Sequence, residues 1–320
     1  MSQENFDKNL GWIEPEIIPE VDASSQKPKK IPKRVLTVFS LVMINVIAVD
    51  SLRTLPMSAE YGFTLVFYYL LAGLVFFIPT ALVAAELATG WPKTGGIYVW
   101  VREAFGARLG FVIVWLQWFY NLVWYPTILS LVAATLAYII NPALVNNVYY
   151  MLLVVFGVFW GATIVNLYGM RVAGIMSNFA ALIGTLIPMV FIIILGIVWM
   201  AQGHPIEIQF TTATFFPKIT SINTLVLITA MLYGLVGTEM SAVHAQEVRD
   251  PQRDYPRALF WSTVIILFTL IFASLAIAVV VPVKELSILT GLLDAFQFFF
   301  NAFHMTWMMP VTAVLIICGS

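Results

Sequence analysis

The sequence predicts an all-α polytopic membrane protein, and three observations support this fold class. Of its 320 residues, 61% are hydrophobic and only 10% are charged, whereas about a quarter of residues are charged in an ordinary soluble domain. Apolar segments of about 20 residues, the length with which a helix crosses a bilayer, recur along the chain. Basic residues are concentrated between alternate segments, as they are in the cytoplasmic loops of membrane proteins.

Eight apolar segments give the predicted order of the membrane spans. They lie at residues 35–57, 64–88, 109–139, 149–167, 175–201, 222–245, 258–281 and from about 305 to the end of the chain. The last segment is shorter than a bilayer requires, so the pattern predicts seven full spans and part of an eighth. Because proline inside a helix removes a hydrogen bond, Pro126 and Pro188 predict bends in the third and fifth spans.

The distribution of basic residues predicts the orientation in the membrane. With a cytoplasmic amino terminus, the following fall on the inner side: Lys8, Lys27, Lys29, Lys30, Lys33, Arg34, Lys93, Arg102, Arg108, Arg171, Arg249, Arg253 and Arg257. Lys218 and Lys284 then lie outside, and Arg53 falls inside the first span. Since lysine and arginine are enriched in cytoplasmic loops, this orientation is the predicted one. The polar residues 1–34 are then a disordered cytoplasmic tail.

The sixth span is predicted to break in the middle of the bilayer. It belongs to the stretch from Leu225 to Pro256, which reads LVLITAMLYGLVGTEMSAVHAQEVRDPQRDYP and is interrupted by Gly234, Gly237 and Glu239. Closely spaced glycines weaken a helix. Backbone freed at membrane depth persists only where it is buried in protein or lines a watered cavity. An ionisable residue beside such a break therefore predicts a substrate site.

The first span, VLTVFSLVMINVIAVDSLRTLPMSAEYG, is predicted to break as well, because Asp50, Arg53 and Pro56 interrupt its apolar run. Three-residue spacing would place Asp50 and Arg53 on one helix face, where they could form a structural ion pair. Alternatively, the free amides of the break and the Arg53 guanidinium receive a substrate carboxylate. Breaks five helices apart are typical of an inverted repeat, in which both breaks meet near the bilayer midplane.

The sequence contains none of the motifs on which catalysis would rest. It has no phosphate-binding loop of the GxxxxGK[ST] type and no serine in a nucleophile elbow. The single cysteine, Cys318, excludes an intrachain disulfide, and the three histidines lack metal-ligand spacing. We therefore expect neither an enzyme nor a cofactor. A formal net charge of −1 gives no reason to expect a nucleic acid partner.

Five motifs in the same order resemble a known family over residues 33–320. They are SLRTLPMSAEYG in the first span, AAELATGWPKTGGIYVWVREAFG after the second, WLQWFYNLVWYPTILS in the third, NLYGMRVAGI after the fourth, and GLVGTEMSAVHAQEVRDPQRDYPRA in and after the sixth. They resemble the amino acid–polyamine–organocation transporters, most closely the bacterial glutamate/GABA antiporters and their amino acid permease relatives. The resemblance implies a multi-pass protein of the bacterial inner membrane that exchanges amino acids, such as glutamate and GABA, across the lipid bilayer.

The resemblance also implies a fold and a site. Helices one to five and six to ten form two inverted halves, which here correspond to residues 35–201 and an incomplete second repeat at 202–320. Substrate binds at the broken helices, and access alternates between the two sides of the membrane. The candidate substrate-binding residues are Val49, Asp50, Ser51, Arg53 and Thr54 in the first break, Tyr233, Gly234, Gly237 and Glu239 in the second, and Tyr120 in the third span.

Two alternatives remain open at this point. Glu239 could recognise a substrate amine, or it could accept hydrogen bonds from the unwound amides of its own helix. The chain ends within the eighth span, before the last two helices of the second repeat and spans nine to twelve. We therefore expect either a transporter, or a truncated, non-transporting fragment that at most assembles with a separately encoded carboxy-terminal half. A channel on the same fold lacks support, since no ring of like charges is visible.

Overall fold

The computed structural model of the protein describes residues 36–93, 95–167, 178–217, 228–229, 231–282, 287 and 290–320. The predicted tail at 1–34 lies outside these ranges, as do the loop residues Arg171, Lys218 and Lys284. The described residues belong to one compact unit. The boundary expected between residues 201 and 202, which would separate two inverted halves, therefore stays a prediction.

The described chain is helical almost throughout. Its α-helices are α1 (Val38–Val49), α2 (Thr54–Ala59), α3 (Thr64–Gly90), α4 (Ile97–Phe105), α5 (Ala107–Ile140), α6 (Val148–Leu167), α7 (Ala180–Ala201), α8 (Thr212–Phe215), α9 (Pro251–Val280), α10 (Gly291–Ala302) and α11 (Met309–Gly319). Turns of π-helix lie within α3 at Gly73–Phe77 and at the start of α7 at Ala180–Leu186. Segments of 3₁₀-helix cover Pro142–Asn146, Thr238–Glu247 and Thr306–Met308.

Five helices are long and apolar enough to cross a membrane, namely α3, α5, α6, α7 and α9. They coincide with the predicted second, third, fourth, fifth and seventh spans, so the prediction of an all-α polytopic membrane protein is confirmed. Pro126 lies inside α5, which nevertheless runs without interruption from Ala107 to Ile140. The bend expected at Pro126 therefore does not end the third span.

The first span is divided into α1 and α2, as the sequence predicts. Helix α1 ends at Val49, and Asp50 already has a non-helical backbone with φ −81° and ψ 79°. Helix α2 starts again at Thr54 and has Pro56 in its first turn. Proline is tolerated there because the first N–H groups of a helix have no intrahelical acceptor. Pro56 therefore favours a new helix start over a continuous first span.

The sixth span is also divided. Residues 231–234 are helical, the chain leaves the helix at 235–237, and a 3₁₀-helix follows at Thr238–Glu247. Gly237 has φ +133°, a conformation that residues with a side chain rarely adopt. The break predicted at the two glycines is therefore confirmed, and its geometry depends on Gly237.

Helix α9 forms the centre of the described bundle. It packs against α1, α2, α3 and α7 and buries small and branched side chains along its length. Helix α6 lies at the periphery, where only Val154 is buried. Large apolar side chains on α5 and α6 are exposed, as expected where a helix faces lipid rather than protein. The bundle thus places α1, α2 and the sixth span around α9.

The crossing of α7 and α9 depends on close approach at Gly196. A Cβ atom added to Gly196 would lie 2.7 Å from Cβ of Ala276, so Gly196→Val should force the two helices apart. Overpacking of this kind costs about 1–3 kcal/mol. We expect a lower midpoint of thermal unfolding in detergent, and no comparable change for Gly157→Val on α6, where the added atoms meet open space. Equal midpoints for the two variants would contradict this account.

Candidate functional site

A cavity of about 550 Å³ lies between the two broken spans. Eight of the ten predicted site residues line it, namely Val49, Asp50, Ser51, Arg53, Thr54, Tyr120, Tyr233 and Gly234. Gly237 and Glu239 are not part of its wall. Pockets for small molecules commonly have volumes of about 300–1,000 Å³. The cavity is therefore large enough for an amino acid.

The Asp50 carboxyl group is buried at the end of α1, with 2% of the residue exposed. The hydroxyl oxygen of Thr269 on α9 lies 2.7 Å from Oδ2 of Asp50. Within the described ranges, Oδ1 of Asp50 has no hydrogen-bond partner. A carboxyl group placed between two spans in this way joins the first break to the central helix.

The ion pair between Asp50 and Arg53 is not formed, which corrects that interpretation of the sequence. In the described part of the chain neither Asp50 nor Arg53 forms an ion pair, whereas Lys93 and Arg102 each pair with Glu103. The expectation assumed helical geometry, in which residues three apart share a face. The chain is not helical from Asp50 to Arg53, so this spacing does not bring the two side chains together.

Arg53 supplies a positive charge at the wall of the cavity. It is half-buried, and its Nε atom has no hydrogen-bond partner in the part of the chain that the structure describes. An arginine side chain carries five N–H donors and stays protonated in proteins. The guanidinium therefore places a positive charge with N–H donors beside the cavity.

Two tyrosines that line the cavity are in contact with each other. The ring centroids of Tyr120 on α5 and Tyr233 in the sixth span are 5.7 Å apart, with an angle of 50° between the planes. Trp124, Thr127 and Ile128 extend the α5 wall. They follow Tyr120 by four, seven and eight residues, which is the spacing of one helix face, so this stripe could have been found in the sequence once Tyr120 was placed in the site.

Sequence reasoning missed the polar groups that α2, α3 and α7 contribute to the cavity. Ser58 on α2 and Tyr69 on α3 are hydrogen-bonded at 2.8 Å between Oγ and the phenol oxygen, and both line the cavity together with Thr185 on α7. Each lies among mostly apolar residues in its helix. The sequence alone does not tell which face such a residue occupies, so no signal distinguished them.

The second break approaches the first through Gly237. A Cβ atom on Gly237 would lie 3.0 Å from the carbonyl oxygen of Ala48 and 3.2 Å from Cγ2 of Val49. Gly237 thus lies behind the cavity wall, where the absence of a side chain allows the backbones of the first and sixth spans to approach closely. Glu239 follows in the 3₁₀-helix and is partly exposed. Neither of its expected contacts, with the cavity or with unwound amides, is found among the described residues.

The start of the first span and the end of the sixth are joined by backbone hydrogen bonds. The N–H of Leu36 donates to the carbonyl of Glu247 at 2.9 Å, and the N–H of Arg249 donates to the carbonyl of Leu36 at 3.4 Å. Nearby, a Cβ on Gly96 would lie 3.2 Å from the backbone nitrogen of Val243. The segment before α4 therefore packs against the sixth span on this side.

Helix α4 carries Arg102 and Glu103, which form an ion pair on its exposed face. Arg102 donates a hydrogen bond to Glu103 over 3.0 Å, and Nζ of Lys93 lies 3.5 Å from the same carboxylate oxygen. The Arg102 hydrogen bond, helped by the Lys93 charge, holds the pKa of Glu103 below its usual range. Val99 and Trp100 point into the protein, so α4 is amphipathic. Exposed pairs of this kind contribute little to stability.

Comparison with known proteins places these features in a family. Residues 34–320 match the model of the amino acid permease family. The chain is 59% identical over 287 residues to an uncharacterized transporter of Legionella pneumophila, covering 90% of this chain and 62% of that protein. It is 32% identical to a glutamate/gamma-aminobutyrate antiporter of Lactococcus lactis subsp. cremoris, covering 89% and 57%.

A more distant relative is a probable agmatine/putrescine antiporter of Lactococcus lactis subsp. lactis, with 23% identity over 83% of this chain and 56% of that protein. The chain thus spans about three-fifths of the length of these relatives. The family match extends over both broken spans and the cavity between them. The chain belongs to the amino acid permease family, within the amino acid–polyamine–organocation superfamily.

Proposed function

We propose that the protein exchanges amino acids across the membrane by alternating access, with glutamate and GABA as its substrates. The observation that carries this proposal is the cavity of about 550 Å³ between the two broken spans, with the Arg53 cation in its wall. Glutamate and GABA are chosen because the antiporters of Lactococcus lactis carry those names and are 32% and 31% identical to this chain over 291 aligned residues.

In this proposal, the carboxylate of the substrate binds at the first break. Arg53 offers N–H donors there, and charge-assisted hydrogen bonds to a carboxylate are stronger than neutral ones. The substrate amine lies toward Tyr233 and Gly234 in the second break. Tyr120 and Tyr233 close the cavity between these two positions. The substrate therefore contacts both broken spans at once.

Transport follows from the position of the breaks. In transporters with inverted repeats, substrate sits near the bilayer midplane while one helical bundle rocks against the other. Here the segments that hold the substrate, residues 49–54 and 233–237, are the non-helical parts of their spans or border them. A small rotation about these points opens the cavity to one side of the membrane. Exchange requires that the rotation occur readily only with substrate bound.

Counterflow tests the proposal directly. The purified chain is reconstituted into liposomes loaded with unlabelled glutamate or GABA, and entry of the labelled compound is followed over time. Saturable entry that depends on the internal substrate is the expected result, with protein-free liposomes and liposomes loaded with sucrose as controls. Absence of entry from folded, inserted protein would contradict exchange by this chain alone.

An alternative is that exchange requires a separately encoded carboxy-terminal half. The chain spans about three-fifths of the length of the relatives it matches. In that case counterflow appears only when the remaining helices of the Legionella relative are co-expressed with this chain. Activity of this chain by itself would exclude the alternative.

Glu239 provides a test of where substrate lies. Because Glu239 is outside the cavity wall, we expect Glu239→Gln to change the half-saturating glutamate concentration in counterflow by no more than about threefold, which is the range of surface substitutions. Tyr120→Ala at the wall serves as the comparison and should have the larger effect. A tenfold or greater increase in the half-saturating glutamate concentration for Glu239→Gln would indicate that Glu239 belongs to the substrate site.

We further propose that the protein lies in a bacterial inner membrane with its amino terminus in the cytoplasm. The basic side chains of Lys93, Arg102 and Arg253 support this orientation, because such residues favour the cytoplasmic side. A reporter enzyme that is active only in the periplasm should be active when fused after Asn146 and inactive when fused after Gly106. The reverse pattern would overturn the orientation.

A further inference from the structure

Asp50 is a buried carboxyl group without a cation to neutralise it. The residue is 2% exposed and its Oδ1 atom has no partner among the described residues. It caps the carboxyl end of α1, where its own N–H donates to the carbonyl of Val46 over 2.7 Å. The carboxyl end of a helix dipole disfavours a negative charge. A buried, unpaired carboxylate is costly, whereas the protonated acid is a neutral group that can donate a hydrogen bond.

The contacts of Thr269 fit the protonated acid. The Thr269 hydroxyl oxygen lies 2.7 Å from Oδ2 of Asp50 and 2.8 Å from the carbonyl oxygen of Ile265. A hydroxyl group has one proton to donate and two lone pairs to accept with. If Thr269 donates to the Ile265 carbonyl, the short contact with Asp50 is satisfied when Asp50 donates its own proton to Thr269. Both distances then correspond to full hydrogen bonds.

The neighbouring elements offer no strong base or cation in contact with Asp50. Helix α7 has no ionisable residue, and contributes Thr185 to the same cavity. Helix α9 carries its ionisable groups between Arg253 and Arg257, at least 12 residues from Thr269, or about 18 Å along the axis. Helix α3 contributes Tyr69, whose phenol interacts electrostatically with Asp50. Arg53 in the break lies beyond ion-pair distance from the Asp50 carboxyl group.

The 3₁₀-helix of the sixth span also packs against α1. Its charged or titratable side chains are Glu239, His244 and Glu247, and none of them forms an ion pair or hydrogen bond with Asp50 within the described ranges. Asp50 is thus the ionisable group closest to the junction of the first break with α9. It also lines the cavity.

We propose that Asp50 is a proton-binding site whose protonation is coupled to the movement of the broken first span against α9. Protonated Asp50 donates to Thr269 and holds the two elements together. When the proton leaves, Thr269 turns its hydroxyl toward the carboxylate, the Ile265 carbonyl loses that hydrogen bond, and the uncompensated charge favours a conformation in which Asp50 contacts water. This proposal rests on the proposed transport function only in its coupling step.

Infrared difference spectroscopy tests the proton site without any transport. Spectra of the purified chain at about pH 6 and pH 9 should differ in the carbonyl stretch of a protonated carboxyl group, and Asp50→Asn should remove that band. Thr269→Val should shift its frequency because the hydroxyl partner is lost, whereas Thr269→Ser should keep it in place. The matched control is Asp294→Asn, since Thr290 lies 2.8 Å from Asp294 in a similar contact outside the spans. A band that survives in Asp50→Asn overturns the site.

The pH profile of glutamate counterflow tests the coupling. Between about pH 6 and pH 9 the charge of the glutamate side chain is constant, because its own pKa is near 4. The wild-type rate should change across the range in which the infrared band titrates, and Asp50→Asn, which resembles the neutral acid, should show a flat profile. A titrating band with a flat wild-type profile would overturn the coupling and leave exchange itself intact.

Replacement of sodium by choline distinguishes a proton from a metal cation. A counterflow rate that requires sodium, together with a missing protonated-carboxyl band, would overturn the proposal in favour of an alkali cation at Asp50. Absence of counterflow in the wild type would instead contradict the proposed exchange, and the infrared band would still decide whether Asp50 binds a proton. The failure of one proposal is therefore distinguishable from the failure of the other.

Discussion

Gly237→Ala should destabilise the protein by about 3 kcal/mol and lower glutamate counterflow by at least about tenfold. Two costs add at this position. The backbone has φ +133°, which costs a residue with a side chain about 1–3 kcal/mol. The new Cβ would also lie 3.0 Å from the carbonyl oxygen of Ala48, so the two broken spans must separate, which adds an overpacking cost of similar size. Since the cavity lies between these spans, its shape changes with them.

Gly203→Ala is the matched control for this prediction. Gly203 has φ +72° but a Cβ atom there would meet nothing within 4 Å. It therefore carries the conformational cost without the close approach, and we expect a loss of about 1–2 kcal/mol with little change in counterflow. Thermal unfolding in detergent and counterflow in liposomes measure the two effects. If both variants behave alike, the contact between Gly237 and Ala48 has no special role.

Arg53→Gln should raise the half-saturating concentration of glutamate by about 10- to 100-fold. The substitution keeps a long polar side chain but removes the charge, and hydrogen bonds to charged groups contribute about 1.5–3 kcal/mol. Arg53 lines the cavity and its Nε atom has no partner among the described residues. Its removal therefore breaks no hydrogen bond of Nε in the described structure, and the folded protein should remain as stable as the wild type.

Two further variants sharpen the Arg53 prediction. Arg53→Lys keeps the charge but loses the planar array of donors, so we expect an intermediate affinity. Arg102→Gln makes the same chemical change on the exposed face of α4 and should leave counterflow unchanged. If Arg53→Gln binds glutamate with wild-type affinity, the substrate carboxylate does not bind at Arg53 and another residue must hold it.

The sequence allowed prediction of the breaks because the physical signals were local. Glycine, proline and charge within apolar runs weaken a helix wherever the chain goes afterwards. The same reasoning failed for the ion pair between Asp50 and Arg53, because it applied helical spacing to residues that form the break itself. A prediction that a helix ends cannot be combined with contacts that require it to continue.

The contacts of the cavity were beyond the reach of the sequence for a different reason. Asp50 meets Thr269 at a separation of 219 residues, and Ser58 meets Tyr69 between two different helices. These pairs depend on how each helix is rotated about its axis, and apolar residues surround all the spans nearly uniformly because lipid and protein interior are similar solvents. Hydrophobic patterning therefore gives little indication of which face points inward.

The backbone hydrogen bonds of Leu36 with Glu247 and Arg249 set a scale for the free energy needed to separate the start of the first span from the end of the sixth. Two such bonds contribute about 2 kcal/mol together. A free-energy difference of this size corresponds to a population of about 3% for the conformation in which both bonds are broken. Because both donors are main-chain groups, substitution of side chains leaves this balance largely unchanged. In the proposed exchange cycle, the balance between joined and separated ends would therefore depend on main-chain groups, and substrate binding would need to shift it only modestly.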